Sequence, residues 1–153
     1  MAELYQYRES GLDDVYLAGG YRKVDAGGRS FVVIDDIDGL HEAIGRFLIE
    51  ETRRLTGAQF RFLRTELGLS QAALAHLLDV SEQSVARWEK GKTRRVDAAA
   101  DRLLRLLYAE HVGGNTAIND CLARIAEIED EMDRVMTFTE TEDGWEPTTP
   151  MAA

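Results

Sequence analysis

The sequence predicts an α+β fold that is mainly α-helical. From residue 56 onward, polar helix caps alternate with apolar residues at helical spacing, whereas short apolar stretches separated by glycine turns precede residue 36. Near the C-terminus, apolar residues recur in alternating steps of three and four. We therefore divide the 153 residues into a β-hairpin/helix module (1–55), a helical domain (56–112), a C-terminal amphipathic helix (113–136) and a flexible acidic tail (137–153).

The N-terminal module is predicted to contain short strands followed by one helix. The strand candidates are residues 4–7, 15–17, 21–24 and 31–34. The last two flank Gly27-Gly28, which is typical of a hairpin turn. Asp36 or Asp38 then caps a helix that runs from about Leu40 to Arg53.

Three short helices are predicted between residues 56 and 90, each beginning at a capping residue. Thr56 and Gln59 form a capping-box pattern, and Ser70 and Ser81 cap the second and third helices. The inward-facing residues recur at helical spacing; they are Phe60, Leu63 and Leu67, then Leu74, Ala75 and Leu78, then Val85 and Trp88. Asp79 occupies the turn between the second and third helices, and Asp tolerates the left-handed conformation expected there.

A helix, a tight turn, a second helix and a basic loop follow one another from Leu67 to Thr93. This is the order of a helix-turn-helix unit, which lays its second helix in the major groove of DNA. The exposed face of that second helix carries four polar residues: Glu82, Gln83, Ser84 and Arg87. Gln and Arg can each form two hydrogen bonds with a base edge. Glu82 either accepts a hydrogen bond from cytosine or only stabilises the helix N-terminus through its charge.

The stretch from about Thr56 to Val112 resembles the helix-turn-helix of the Xre family, the lambda-repressor-like regulators. The resemblance rests on four ordered segments: Leu-Gly-Leu-Ser-Gln (67–71), Leu-Ala (74–75), Val-Ser-Glu-Gln-Ser (80–84) and Trp-Glu-Lys-Gly-Lys (88–92). It implies a five-helix, lambda-repressor-like DNA-binding domain in which Gln71 holds a phosphate and the basic loop grips the backbone. The DNA-binding residues that we expect on this basis are Gln71, Ser81, Glu82, Gln83, Ser84, Arg87, Lys90, Lys92, Thr93, Arg94 and Arg95.

Arg64 and Glu89 match the partly buried ion pair of the Xre family, which ties the first helix to the end of the third. The resemblance therefore implies a structural role for both residues. The alternative is that both are solvated surface charges. If the pair is buried, removing one partner costs about 3–5 kcal/mol.

The formal net charge of −10 is unusual for a DNA-binding protein, but the charge is unevenly distributed. Residues 1–56 have a net charge of −4, residues 57–112 of +2 and residues 113–153 of −8. Between Arg87 and Arg95, five basic side chains occur with one acidic side chain. Because electrostatic screening acts over about 8 Å at physiological salt, phosphates respond mainly to the nearby basic cluster. The acidic ends are expected to weaken non-specific DNA binding.

Several other protein classes are disfavoured. No apolar run is long enough to span a bilayer and no signal peptide opens the chain, so we expect a cytoplasmic, nucleoid-associated protein of a bacterium or phage. The single cysteine, Cys121, cannot form an internal disulfide and fits a reducing compartment.

No metal site, cofactor or enzymatic activity is expected. His41, His76 and His111 lie far apart in the sequence, and no nucleophile with a paired base is evident. The glycine pairs Gly19-Gly20 and Gly27-Gly28 fit no nucleotide-binding fingerprint and are interpreted as turns.

Asp97 caps a further helix, which ends before Gly113-Gly114-Asn115. The last helix, from about Thr116 to Met136, carries an apolar seam that consists of Ile118, Cys121, Ile125, Ile128, Met132 and Val135. This seam either pairs with its copy in a second chain, forming a homodimer, or folds back onto the N-terminal module.

The order of strands, helix and Xre-type domain also resembles antitoxins of the MqsA type, whose N-terminal module binds a toxin. Those antitoxins carry zinc-binding Cys-x-x-Cys pairs, which this chain lacks. The module (1–55) is therefore interpreted either as binding a toxin or other small protein, or as a unit that supports dimerisation or stability.

These features favour a sequence-specific regulator of transcription that binds double-stranded DNA. We expect a repressor that binds a palindromic operator as a homodimer. The alternative is the antitoxin of a toxin–antitoxin pair, which autoregulates its operon and binds a toxin through its N-terminal module.

Overall fold

The structure of the protein is a computed structural model, which describes residues 3–115, 117–128 and 136–148. Within these residues the fold comprises six α-helices and three two-stranded antiparallel sheets. The expected α+β, mainly α class is confirmed.

Helices contain most of the residues in regular secondary structure. The helices are α1 Ile37–Glu51, α2 Gly57–Glu66, α3 Gln71–Leu78, α4 Glu82–Lys90, α5 Ala98–Val112 and α6 Ala117–Ile128. The strand pairs are β1 Tyr5–Gln6 with β2 Tyr16–Leu17, β3 Tyr21–Ala26 with β4 Arg29–Ile34, and β5 Phe138–Thr141 with β6 Gly144–Pro147.

The predicted N-terminal hairpin is confirmed by the pairing of β3 with β4. Its turn lies at Gly27-Gly28, both with positive φ (59° and 78°), which is the conformation that a type I′ hairpin turn requires. Helix α1 begins at Ile37, earlier than predicted, because its cap is Asp36. The Asp36 carboxylate accepts a hydrogen bond from the amide of Gly39 at 3.2 Å.

The predicted caps of the central helices are confirmed. The Thr56–Gln59 capping box is complete, and the hydroxyls of Ser70 and Ser81 accept from the amides of residues 73 and 84. Asp79 adopts the left-handed conformation at the end of α3, with φ 54°. Short local signals therefore determine where α2, α3 and α4 begin and end.

One hydrophobic core joins the N-terminal module to the helical domain. Its centre consists of side chains with almost no exposed surface: Leu55, Phe60, Leu63, Leu74, Val85, Val96 and Leu104. From the module, Tyr7, Leu12, Leu17, Ile44 and Leu48 extend the same cluster. Because burial of each such side chain contributes about 1.5–3 kcal/mol, the module and the helical domain stabilise each other.

Arg105 on α5 fastens the C-terminal end of α1. Its Nε lies 3.1 Å from Oδ1 of Asp101, and its Nη1 donates to the carbonyl oxygens of Leu48, Ile49 and Thr52 at 3.1–3.2 Å. A helix leaves its last carbonyls without partners inside the helix, so the guanidinium satisfies groups that burial would otherwise penalise. This contact spans more than 50 residues, and no local sequence pattern predicts it.

Helix α6 packs against α3 and α5, with Ile118 and Leu122 partly buried against the common core. In the described part of α6, this packing on the helical domain replaces the alternative in which the helix folds back onto the N-terminal module. Within the predicted seam, Cys121, Ile125 and Ile128 are exposed, while Ile118 faces the core. Met132 and Val135 lie outside the described residues.

The acidic tail predicted to be flexible over 137–153 contains a hairpin at 138–147, so that prediction is wrong there. Thr141 pairs with Gly144 across a two-residue turn, and Gly144 has φ 112°, a conformation that glycine adopts without strain. The Thr141 hydroxyl also donates to the Gly144 carbonyl at 2.9 Å. The segment was predicted to be flexible because it is polar, and the turn that ends at Gly144 was not recognised.

Gly45 permits the close approach of α1 to α5. A Cβ atom at this position would lie 2.0 Å from the hydroxyl oxygen of Tyr108. We expect Gly45→Ala to lower the free energy of unfolding by about 1–3 kcal/mol, since overpacking in a dense core costs that much. Urea denaturation measures this change in the free energy of unfolding. Gly19→Ala, which meets open space, is the control, and equal stability of the two variants would contradict this packing.

Candidate nucleic-acid interface

The α3–turn–α4 unit presents one polar face of α4 to solvent. Val85 is fully buried, and Trp88 packs its ring edge-on against Phe60, with centroids 5.8 Å apart at 78°. This leaves Glu82, Gln83 and Arg87 exposed and Ser84 half-buried. The structure thus places the predicted base-reading residues together on the outer face of α4.

Hydrogen bonds order the first two turns of α4. The Ser81 hydroxyl accepts from the amide of Ser84 at 3.1 Å and lies 2.9 Å from the Ser84 hydroxyl. Nη2 of Arg87 donates to the same Ser84 oxygen at 3.4 Å. Ser81 therefore serves as a helix cap, and Ser84 directs the Arg87 guanidinium along the exposed face.

The backbone of the basic loop is held by the start of α2. The amides of Gly57 and Ala58 donate to the carbonyl oxygens of Arg94 and Lys92 at 2.9 and 3.0 Å. A helix leaves its first amides without partners inside the helix, and here the loop satisfies two of them. A Cβ at Gly57 would lie 2.1 Å from the Trp88 carbonyl oxygen, so this approach needs glycine. No local sequence pattern predicts this backbone junction.

The side chains of the loop point outward and join α4 in one charged surface. Residues Lys90, Lys92, Thr93, Arg94 and Arg95 are all exposed. A shallow cavity of about 430 Å³ is lined by Arg87, Trp88, Lys90, Gly91, Arg94 and Arg95. We define the basic surface as Arg87, Lys90, Lys92, Arg94 and Arg95. Its positive charge and its position beside an exposed helix suit contact with the phosphate backbone of a nucleic acid.

Glu89, the acidic residue within this basic stretch, is turned into the protein. It forms two hydrogen bonds with Arg64, Nε to Oε2 at 2.7 Å and Nη2 to Oε1 at 2.8 Å. The two side chains are only 12% and 4% exposed, so the alternative of solvated surface charges is wrong. The carboxylate is neutralised inside the domain and does not weaken the basic surface.

Gln71 lies at the start of α3, where its amide nitrogen donates to Oε1 of Glu89 at 3.2 Å. Its side chain is half-buried. Gln71 is thus the link between α3 and the Arg64–Glu89 pair, and its contact with a phosphate stays a prediction.

His41 connects the N-terminal module to α2. Its Nδ1 lies 2.7 Å from Oε1 of Glu66, and its Nε2 lies 2.8 Å from the Tyr7 hydroxyl. Burial raises the pKa of Tyr7 above its usual value, which already lies well above neutral pH, so its hydroxyl is protonated there. Both ring nitrogens of His41 are therefore satisfied, whereas His76 and His111 are exposed.

In the part of the chain that the structure describes, no group of three or more His, Cys, Asp or Glu side chains is arranged to hold a metal ion. Across the same residues, no helix combines the length and the apolar character needed to cross a membrane.

Residues 56–112 match a family model described as a helix-turn-helix domain. No curated protein and no solved structure matches the chain. The matched segment contains α2 to α5 and the basic surface, and it supports a DNA-binding regulator.

Loss of the Arg64 guanidinium would leave the Glu89 carboxylate buried without its ionic partner. We expect Arg64→Ala to lower the free energy of unfolding by about 3–5 kcal/mol. Arg61→Ala is the matched control, because Arg61 lies on the same helix but is exposed; its effect should stay within about 0.5 kcal/mol. Similar unfolding curves in urea for both variants would show that the ion pair contributes little.

Proposed function

We propose that the protein is a repressor of transcription that binds a palindromic operator as a homodimer, with one α4 helix in the major groove of each half-site. The observation that carries this proposal is the basic surface beside the exposed face of α4, from which Glu89 is withdrawn by Arg64. Steric exclusion of polymerase from an occupied operator accounts for repression.

Two groups of side chains have different tasks in this complex. Gln83 and Arg87 read base edges, because both can form two hydrogen bonds to a purine. The rest of the basic surface neutralises phosphates and sets the register of α4, which adds affinity with little sequence information.

The dimer is proposed because helix-turn-helix proteins bind half-sites about one helical turn, roughly 34–36 Å, apart. Exposed Cys121, Ile125 and Ile128 form an apolar strip along α6 that supports a contact between two copies. A two-fold axis would place the same strip of each copy against the other.

We favour this function over that of an antitoxin. Tyr7, Leu12 and Leu17 belong to the common core, which supports a stabilising role for the N-terminal module. A separate observation supports binding rather than catalysis. His41, the half-buried histidine, has both ring nitrogens engaged in structural hydrogen bonds.

Selection of bound duplexes from a random DNA pool tests the proposal. The expected product is a two-fold symmetric site with half-sites about one turn apart. An asymmetric single site would contradict the homodimer, and no enrichment at low salt would contradict DNA recognition altogether. An in vitro transcription assay with that site across a promoter then tests repression.

Arg87→Ala is expected to cost about 1–3 kcal/mol in operator binding and to relax the preference at one base pair per half-site. Binding isotherms for the operator and for a set of single-base variants measure both effects. Arg102→Ala, an exposed arginine on α5, is the control. Equal weakening across all sequences would identify Arg87 as a phosphate contact instead.

Lys92→Gln is expected to weaken binding to every duplex by a similar factor, since a phosphate contact carries no sequence information. The slope of log affinity against log salt should become less steep by about one unit per site. Lys23→Gln on the N-terminal hairpin is the matched control. A slope identical to that of the wild type would remove Lys92 from the DNA contact.

A further inference from the structure

Two hairpins of this chain each present an apolar face to solvent. On β3–β4, Val24 lies opposite Phe31 and Arg22 opposite Val33, so these four side chains share one face. Val24, Phe31 and Val33 remain 37%, 48% and 38% exposed. We define the N-terminal hairpin face as Arg22, Val24, Phe31 and Val33, together with Arg29, which alternates onto the same side.

The second exposed face belongs to β5–β6. Phe138 lies opposite Pro147 and Glu140 opposite Trp145, so these residues share one side. Phe138 is 55% exposed and Trp145 is 70% exposed. We name Phe138, Glu140, Trp145 and Pro147 the C-terminal hairpin face.

The two faces carry opposite charges around their apolar centres. On the N-terminal hairpin face, Arg22 lies 3.7 Å from Asp35, while Arg29 is exposed beside Phe31. On the C-terminal hairpin face, Glu140 lies beside Trp145, and the adjoining turn adds Glu142 and Asp143. A guanidinium can pair with a carboxylate and can also stack on an indole ring, so the faces are complementary in charge and in chemistry.

The C-terminal hairpin face needs a covering surface, whereas the N-terminal hairpin already packs Tyr21 and Ile34, on its other side, against the core. A two-stranded hairpin is marginally stable in water unless its apolar side packs against something. All eight strand residues of β5 and β6 are exposed, so neither face covers the other within one chain.

We propose that the C-terminal hairpin face of one protomer docks on the N-terminal hairpin face of a second copy, and that the contact is reciprocal. This inference rests on the proposed homodimer and assigns it an additional surface. Phe31, Phe138 and Trp145 contribute to both contacts, so the buried area is on the order of 1,000 Å² before α6 is included. That area approaches the range of specific interfaces.

A charge exchange between Arg29 and Glu140 tests the contact. We expect R29E and E140R each to raise the dimer dissociation constant by about tenfold or more, because each places like charges together in both contacts. An equimolar mixture of the two variants should restore dimerisation as a heterodimer. In that heterodimer, one contact has the native charges and the other has the exchanged pair. Sedimentation equilibrium on the full chain measures the dissociation constants of R29E, of E140R and of their equimolar mixture.

E146R is the matched control, since Glu146 lies on the paired strand β6 with its side chain on the opposite side of the hairpin from Glu140. Its dissociation constant should equal that of the wild type. Circular dichroism melting curves for each variant separate loss of contact from loss of folding.

Each outcome decides the proposal. Rescue by mixing supports docking between copies. Rescue by the double variant R29E/E140R without rescue by mixing would mean that the hairpins dock within one chain, and it would overturn the proposal. A monomeric wild type, or single variants that dimerise normally, would also overturn it.

The binding of each variant to a single half-site duplex distinguishes this inference from the proposed function. Half-site recognition by normally dimerising variants would reject the hairpin contact and leave DNA recognition intact. Failure of the wild type to discriminate among duplexes would reject the proposed function instead.

Discussion

Glu89 accepts two hydrogen bonds from Arg64 on α2 and one from Gln71 on α3, while belonging itself to the last turn of α4. Three helices thus meet at one carboxylate that is almost completely buried. A buried carboxylate is tolerated only when its charge and its lone pairs are satisfied, so the pair constrains where α4 can end. Because the basic loop begins one residue later, its position depends on the same contact.

The loop is fixed from its other side by α2. The carbonyls of Lys92 and Arg94 accept hydrogen bonds from the first amides of that helix, and Gly57 allows the two backbones to approach. Loops on a rigid scaffold can present charges in a set geometry without regular structure of their own. Here the backbone polar groups of Lys92 and Arg94 are used internally, while the loop side chains stay exposed. Within the described residues, only Arg95 among the loop cations has a side-chain hydrogen bond, to the Arg54 carbonyl at 2.9 Å.

Local signals made the starts of the central helices predictable from the sequence. A serine or threonine before an apolar helical repeat satisfies nearby amides, so the starts of α2, α3 and α4 depend on neighbours within four residues. Arg64 and Glu89 are 25 residues apart, and only the family resemblance indicated their pairing. The contacts of Arg105 with the end of α1 carry no local pattern at all. The β5–β6 hairpin was missed because its polar composition resembled that of a flexible segment.

The pairing of two buried carboxylates limits how far these acidic residues oppose the basic surface, although it leaves the net charge of −10 unchanged. Glu89 and Asp101 are the buried acidic side chains among the described residues, and each is paired with an arginine inside the domain. Their charges are therefore compensated locally and add little to the field outside. The described acidic residues of the C-terminal hairpin are at the opposite end of the sequence from the N-terminal hairpin, whose charge they complement. If the two hairpins dock between copies, Arg29 of one copy compensates the charge of Glu140 of the other, and less negative charge of the C-terminal hairpin remains exposed to a duplex.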